Sequence, residues 1–222
     1  MGKLLPTCLT LITFAVFVSP TAALAVNDPD ITCSTGVLCA TGAVLTGHNV
    51  GNIRFHSGST TLWECTSGDF KGTLTKNDGT TVEETIEAVA IGGTGTNGEC
   101  TGSFGNFTFT TDVGNGTPWC LRAGPAMNAD EFQLRGNSCG LESRSVTFAL
   151  LSTTAGECKY NRTAAIVGSY STNDSDAQLS VINVSFSLES GGILCAGTGE
   201  VDMRMTLEKA TIPQTTDPLN IS

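Results

Sequence analysis

Histidine is nearly missing from this 222-residue chain, which holds only His48 and His56. Imidazole is the side chain that most readily moves a proton near neutral pH, so general-base chemistry is confined to these two rings or to carboxylates. Metal-binding spacings are missing as well: no C-x-x-C occurs, and neither histidine stands beside a cysteine pair. Basic residues are few and scattered, 11 Lys and Arg against 21 Asp and Glu, for a net charge of −10. A surface so acidic repels phosphate backbones and anionic lipid, which argues against nucleic acid as a partner. No motif for a cofactor is found.

Apolar runs are short. The longest, Leu4 to Val18, falls below the roughly 20 residues of a spanning helix, so the chain is read as not membrane-spanning. Lys3 precedes that run, and Ser19-Pro20 and Thr-Ala-Ala-Leu-Ala follow it, with small residues at Ala23 and Ala25. That is the order of a secretory signal peptide, which predicts cleavage after Ala25. Cleavage would remove one lysine and no acid, taking the net charge to −11. Residues 26–210 are then read as a single β-domain, and residues 211–222, with two prolines and little apolar content, as a flexible tail.

Beyond the leader stand Cys33, Cys39, Cys65, Cys100, Cys120, Cys139, Cys158 and Cys195. An even set in an exported chain reads as four disulfides formed in an oxidising compartment, extracellular or in the cell envelope. Two stretches share a plan. In each, a cysteine (Cys65, Cys158) leads to a strand-like run with a glycine (Gly72, Gly168), then Asn-Asp (Asn77-Asp78, Asn173-Asp174). A second extended run, a Gly-Gly pair (Gly92-Gly93, Gly191-Gly192) and a closing cysteine (Cys100, Cys195) complete the plan. This internal duplication, 65–100 and 158–195, predicts that each unit closes on itself, Cys65 with Cys100 and Cys158 with Cys195. Cys33 then pairs with Cys39, and Cys120 with Cys139.

Alternation of period two dominates the rest. Ile182, Val184, Phe186 and Leu188 are expected on one face of a strand, and Val201, Met203, Met205 and Leu207 on one face of another. Asn77-Asp78-Gly79 marks a tight hairpin turn. The run TVEETIEAVAIGG fits a helical turn through Val82, Ile86 and Val89, or a strand with Ile86, Ala88 and Ala90 on one face; its counterpart in the second unit makes it a strand here. About ten short strands separated by Gly, Asn, Asp and Ser turns predict an all-β fold, an antiparallel β-sandwich or flattened β-barrel stapled by disulfides.

A convergent catalytic set is not found. Ser190-Gly191-Gly192 lacks a histidine in a matching context, and its counterpart Gly92-Gly93 has no serine before it. His56, beside Ser57 and Ser59, is the one histidine with neighbouring hydroxyls. Glu83, Glu84, Glu87, Asp174 and Asp176 are the acids from which a hydrolytic pair would be drawn, and their place in turns and on wet faces assigns them to solvation. Asn173-Asp174-Ser175-Asp176 offers oxygen donors to calcium without the spacing of an EF-hand.

Several short motifs resemble those of a group of small secreted β-rich proteins of soil actinobacteria, whose function is not known. They are a first cysteine like Cys65, Pro118-Trp119, Cys158-Lys159-Tyr160, Gly168-Ser169-Tyr170 and the Gly-Gly-x-Leu-Cys ending at Cys195, spread over Asn52 to Leu207. The resemblance implies a secreted β-fold and brings no catalytic residues. The resulting expectation is a secreted, non-enzymatic protein with a binding or structural role, its partner a wall polymer, a protein or an apolar small molecule. The alternatives are a secreted hydrolase, and a carrier of an apolar ligand in a barrel cavity.

Overall fold

A computed structural model describes residues 29–33, 37–128, 130–173, 176–210, 216–218 and 220–221. The leader expected over residues 1–25 lies outside these. In chain order the strands begin with β1 (Ile31–Cys33), β2 (Val37–Leu38), β3 (Val44–Asn49), β4 (Ile53–Ser57), β5 (Thr60–Cys65) and β6 (Ser67–Asn77). They continue with β7 (Val82–Gly92), β8 (Cys100–Gly102), β9 (Gly105–Thr111), β10 (Trp119–Ala123), β11 (Glu131–Gly136) and β12 (Val146–Ser152). The last six are β13 (Gly156–Arg162), β14 (Ile166–Asn173), β15 (Asp176–Ser190), β16 (Thr198–Ala210), β17 (Thr216–Pro218) and β18 (Asn220–Ile221). Two short 3-10 turns, Thr96–Gly98 and Asp112–Asn115, are the helical pieces among the described residues.

Hydrogen bonding joins 14 of these strands, all antiparallel, into two closed circuits with a common seam. Ring A runs β3, β6, β7, β10, β11, β14, β15, β16 and back to β3. Ring B runs β4, β5, β8, β9, β12, β13, β15, β16 and back to β4. The seam is the long hairpin β15–β16. Ala177 to Ser180 of β15 pair within ring A, while Ser187 to Ser190 reach β13 in ring B. The all-β, disulfide-stapled flattened barrel expected from the alternation is the observed fold, with more strands than expected: 14 of them form the outer circuit. The surplus comes from short pieces such as Cys100–Gly102 and Gly156–Arg162, whose polar and glycine residues hide their extended backbone.

The four disulfides are Cys33–Cys39, Cys65–Cys100, Cys120–Cys139 and Cys158–Cys195, the pairs the duplicated plan predicts. The structure also shows what two of them do. Hairpin β6–β7 leaves ring B after β5, enters ring A and returns to β8, and Cys65–Cys100 joins its two legs in ring B. Hairpin β14–β15 leaves from β13, and Cys158–Cys195 ties its return in the same way. The two hairpins stand half a circuit apart in ring A.

Two expectations of facing are corrected, both at β-bulges. Val181 pairs with Met203 and Val184 with Val201, so two residues of β15 oppose one of β16. Ile182 is thereby turned out to solvent, while Val181, Val184 and Phe186 stay buried. In β7, Gly72 pairs with Ile86 and Lys71 with Ala88, leaving Glu87 as the extra residue. Val82, Glu84 and Ile86 therefore face inward, and beyond the bulge Val89 and Ile91 take over the inner face from Ala88 and Ala90. A bulge adds one residue to a strand and bends it, which here reverses the parity that simple alternation assumes.

Inside, rings of phenylalanine lie on glycines of the facing or neighbouring strand. A Cβ at Gly47 would overlap Phe70, at Gly102 Phe107, at Gly168 Phe132 and at Gly199 Phe55. The glycines let a tightly curved sheet take large rings, the device known from aromatic cover of glycine in barrels. One such glycine is covered by something else: a Cβ at Gly72 would overlap the carboxyl of Glu84.

One end of ring A is covered by the small sheet of β2, β1 and β18. Asn77 holds it, its Nδ2 donating to the carbonyls of Ile31 (2.8 Å) and Cys39 (3.1 Å) and its Oδ1 accepting from the Ile31 amide (3.1 Å). Most of the tail, residues 211–215, 219 and 222, lies outside the described residues; the described parts, β17 and β18, pair with β16 and β1.

Candidate functional site

The two histidines occupy similar positions beside β16. On β4, His56 directs Nε2 at Asp202 Oδ2 (3.1 Å) and Nδ1 at the Gly58 carbonyl (3.0 Å), with Glu200 Oε2 3.8 Å from Nδ1. The other oxygen of Asp202 accepts the amide of Asn183 at 2.7 Å. Asn183 sits in the β15 bulge with φ 54°, and Asp202 thus ties the bulge to β4 through His56. On β3, His48 Nδ1 bonds Asp69 of β6, and Nε2 lies 3.7 Å from Glu208 of β16. Each imidazole therefore has oxygen acceptors at both nitrogens. A general base needs one nitrogen open toward a hydroxyl or water, and in His56 both are engaged with oxygens of the fold.

The acids singled out in the sequence are dispersed. Glu83 pairs with Arg122 (3.3 Å) on the outer face of ring A, and Glu87 is exposed in its bulge. Asp174 lies outside the described residues, as does Ser175, so the calcium candidate around Asn173 does too. Ser190 ends β15 opposite Lys159. Among the described residues no cluster of three or more His, Cys, Asp or Glu could hold a metal ion. An open polar cleft of about 640 Å³ is lined by Asp112, Thr117, Arg144, Thr147, Thr163 and two serines. Asp112 accepts a hydrogen bond from Thr147 there, and burial raises its pKa. With one carboxyl, this cleft lacks the acid pair that glycoside hydrolysis uses.

Glu84 is the exception to the solvated reading of the acids. It is fully buried in ring A, and neither carboxylate oxygen has a hydrogen-bond partner. Burial, with a smaller contribution from Glu87, pushes its pKa up to about 8, so the side chain is protonated at neutral pH.

Where the rings meet lies an apolar cavity of about 90 Å³. Ring A contributes Phe70, Ile86, Trp119 and Ile166; ring B contributes Ile53, Trp63, Phe109 and Phe148; the seam contributes Val181, Phe186, Val201, Met203 and Met205. No polar atom reaches its surface. Phe148 organises the ring B side, stacking on Phe109 (5.2 Å) and Tyr160 (5.3 Å) and meeting Phe186 edge-on (5.0 Å). The indole N–H groups of Trp63 and Trp119 are buried without an acceptor, so packing alone holds these two side chains. Trp63 is buried in the core; that it borders a cavity has no sequence signal, because the wall is drawn from strands on both rings.

No family model, curated protein or solved structure matches the chain.

Proposed function

We propose that this chain is a secreted, non-enzymatic β-protein that holds a small, uncharged, apolar molecule in the cavity between its two rings. The cavity wall carries the reading. A carboxylate or ammonium placed there would lose its water and meet no polar atom, at a cost of several kcal/mol or more, so charged ligands are rejected. At about 90 Å³ the space is smaller than the roughly 150 Å³ cavity that takes benzene or xenon in an engineered protein, which selects a short or small cyclic hydrocarbon or a neutral molecule of like size. Met203 and Met205 in the wall adapt their shape to such a guest.

Export is supported by the order of residues 1–25 and by four disulfides, which persist in oxidising compartments. The resemblance to secreted actinobacterial proteins points the same way. Binding rather than catalysis is supported by the engagement of both nitrogens of His56 and by the absence, among the described residues, of a nucleophile hydrogen-bonded to it.

The test is extraction of the protein from culture medium into organic solvent, followed by mass spectrometry. One small neutral compound at near one per chain is expected. Recovery of nothing, together with failure of the emptied protein to take up cyclopropane, contradicts the reading. An ester, peptide or glycoside hydrolysis abolished by His56→Ala would replace it with the hydrolase.

A further inference from the structure

Most side chains around the cavity are buried in the core, so a guest has to move some of them to enter, and the two ends of the molecule differ. At one end of ring A the sheet of β2, β1 and β18 forms a cover, pinned by three hydrogen bonds from Asn77 and by buried Ile31 and Cys39. The opposite end, in ring B, is built from the β8–β9 turn and the loop from Gly191 to Cys195. It exposes Phe104, Ile193 and Leu194, with Ile193 wholly in solvent. Beneath these residues lies a small pocket of about 20 Å³ bordered by Phe55, Phe104, Phe107, Tyr160 and Leu194. Trp63 is the residue shared by this pocket and the cavity.

We propose that apolar molecules reach the cavity through this end of ring B, between Phe104 and Leu194 and past Trp63, which acts as the inner gate. The proposal rests on the cavity being a binding site. Trp63 suits the task because its indole N–H bonds to nothing, so a shift of the ring sacrifices packing against Phe55 and Phe109 but no hydrogen bond. Displacing that ring costs its packing against Phe55, Phe109 and Phe148 and leaves no polar group newly unpaired, whereas opening the far cover breaks the three hydrogen bonds of Asn77. Cys158–Cys195 borders the same pocket and fixes one lip, so the movable lip is the turn carrying Phe104.

Neither Phe104 nor Leu194 touches the cavity, so shortening them changes the rate of exchange without changing affinity. The experiment follows xenon by ¹²⁹Xe saturation-transfer NMR in the disulfide-intact protein, comparing the parent with Phe104→Ala, Leu194→Ala and, at the far end, Asn77→Ala. Association and dissociation are expected to accelerate together, several-fold, in the first two variants at constant Kd, and to keep the parental rates in the third. Unchanged rates in Phe104→Ala and Leu194→Ala, or acceleration by Asn77→Ala, overturn the gate while leaving the binding site in place. Absence of bound xenon in the parent overturns the binding site, and the gate with it. Should Phe104→Ala unfold, Phe104→Leu makes the same comparison with a smaller change in bulk.

Discussion

Glu84 is the residue at which this chain departs furthest from ordinary packing. Four interior glycines are covered by phenylalanine, and Gly72 by a carboxyl group with no partner. Because the folded protein keeps the proton up to about pH 8 while the unfolded chain releases it near pH 4.5, the folded state binds more protons throughout that window. Stability therefore falls as pH rises from 4.5 to about 8 and stays low above it, each unit of pKa difference being worth about 1.4 kcal/mol. Glu84→Gln removes the charge, so thermal melts across this range should show the slope of the parent flattened in the variant, with the variant the more stable at the alkaline end. Parallel curves would show that Glu84 does not titrate in this window. Gly72→Ala should destabilise by about 1–3 kcal/mol in urea unfolding, since its Cβ has to displace the Glu84 carboxyl or the Thr85 carbonyl. Asn183 is the second residue of this kind. Its positive φ disfavours branched side chains, so Asn183→Val should cost about 1–2 kcal/mol and Asn183→Gly much less, by the same measurement.

Single strands and hairpins were legible in the sequence to the extent that their signals are local. Asn77-Asp78-Gly79 turns as expected: Asp78 Oδ1 accepts from the Thr80 hydroxyl (2.9 Å) and the Thr81 amide (2.8 Å), and Gly79 takes φ 81°. These bonds, the Thr80 hydroxyl first, hold the Asp78 carboxyl well below the usual carboxylate range. Cystine pairing was legible because the duplicated plan keeps each bond within one hairpin. The bulges at Glu87 and at Ile182-Asn183 were not, since nothing in a run of alternating residues records that one residue is left unpaired by a strand far away in sequence. The carboxylates beside His56 were likewise hidden, as Asp202 lies 146 residues further on. The staples differ in expected weight. Closing the loop of Cys158–Cys195, separation 37, restricts the unfolded chain more than closing Cys33–Cys39, separation 6, by about 4 against about 2 kcal/mol. Replacing each pair by alanine should therefore lower the unfolding free energy in that order; equal losses would mean that the bonds act through native contacts instead.

At the scale of the molecule, two circuits joined by one hairpin create an interior that neither circuit has alone. Closure leaves the main sheet few open edges, the hazard that long exposed strands carry. It also brings side chains from both rings to one junction, where their shapes leave the apolar cavity unfilled. The alternation pointed to a flattened barrel, but closure into two circuits was not legible, because it depends on pairings such as β16 with β3 and with β4, which join opposite ends of the chain. The central claim is that this space is a binding site, and its most direct test is the thermal midpoint of the oxidised protein with and without saturating cyclopropane, measured beside Val201→Phe, which fills the space, and Val201→Met, which narrows it more gently. A guest at about a hundred times its Kd stabilises the folded state by about 2.7 kcal/mol, so the parent should melt several degrees higher with cyclopropane and Val201→Phe should not respond. A parent midpoint unmoved by cyclopropane, or a rise that persists undiminished in both variants, would contradict it.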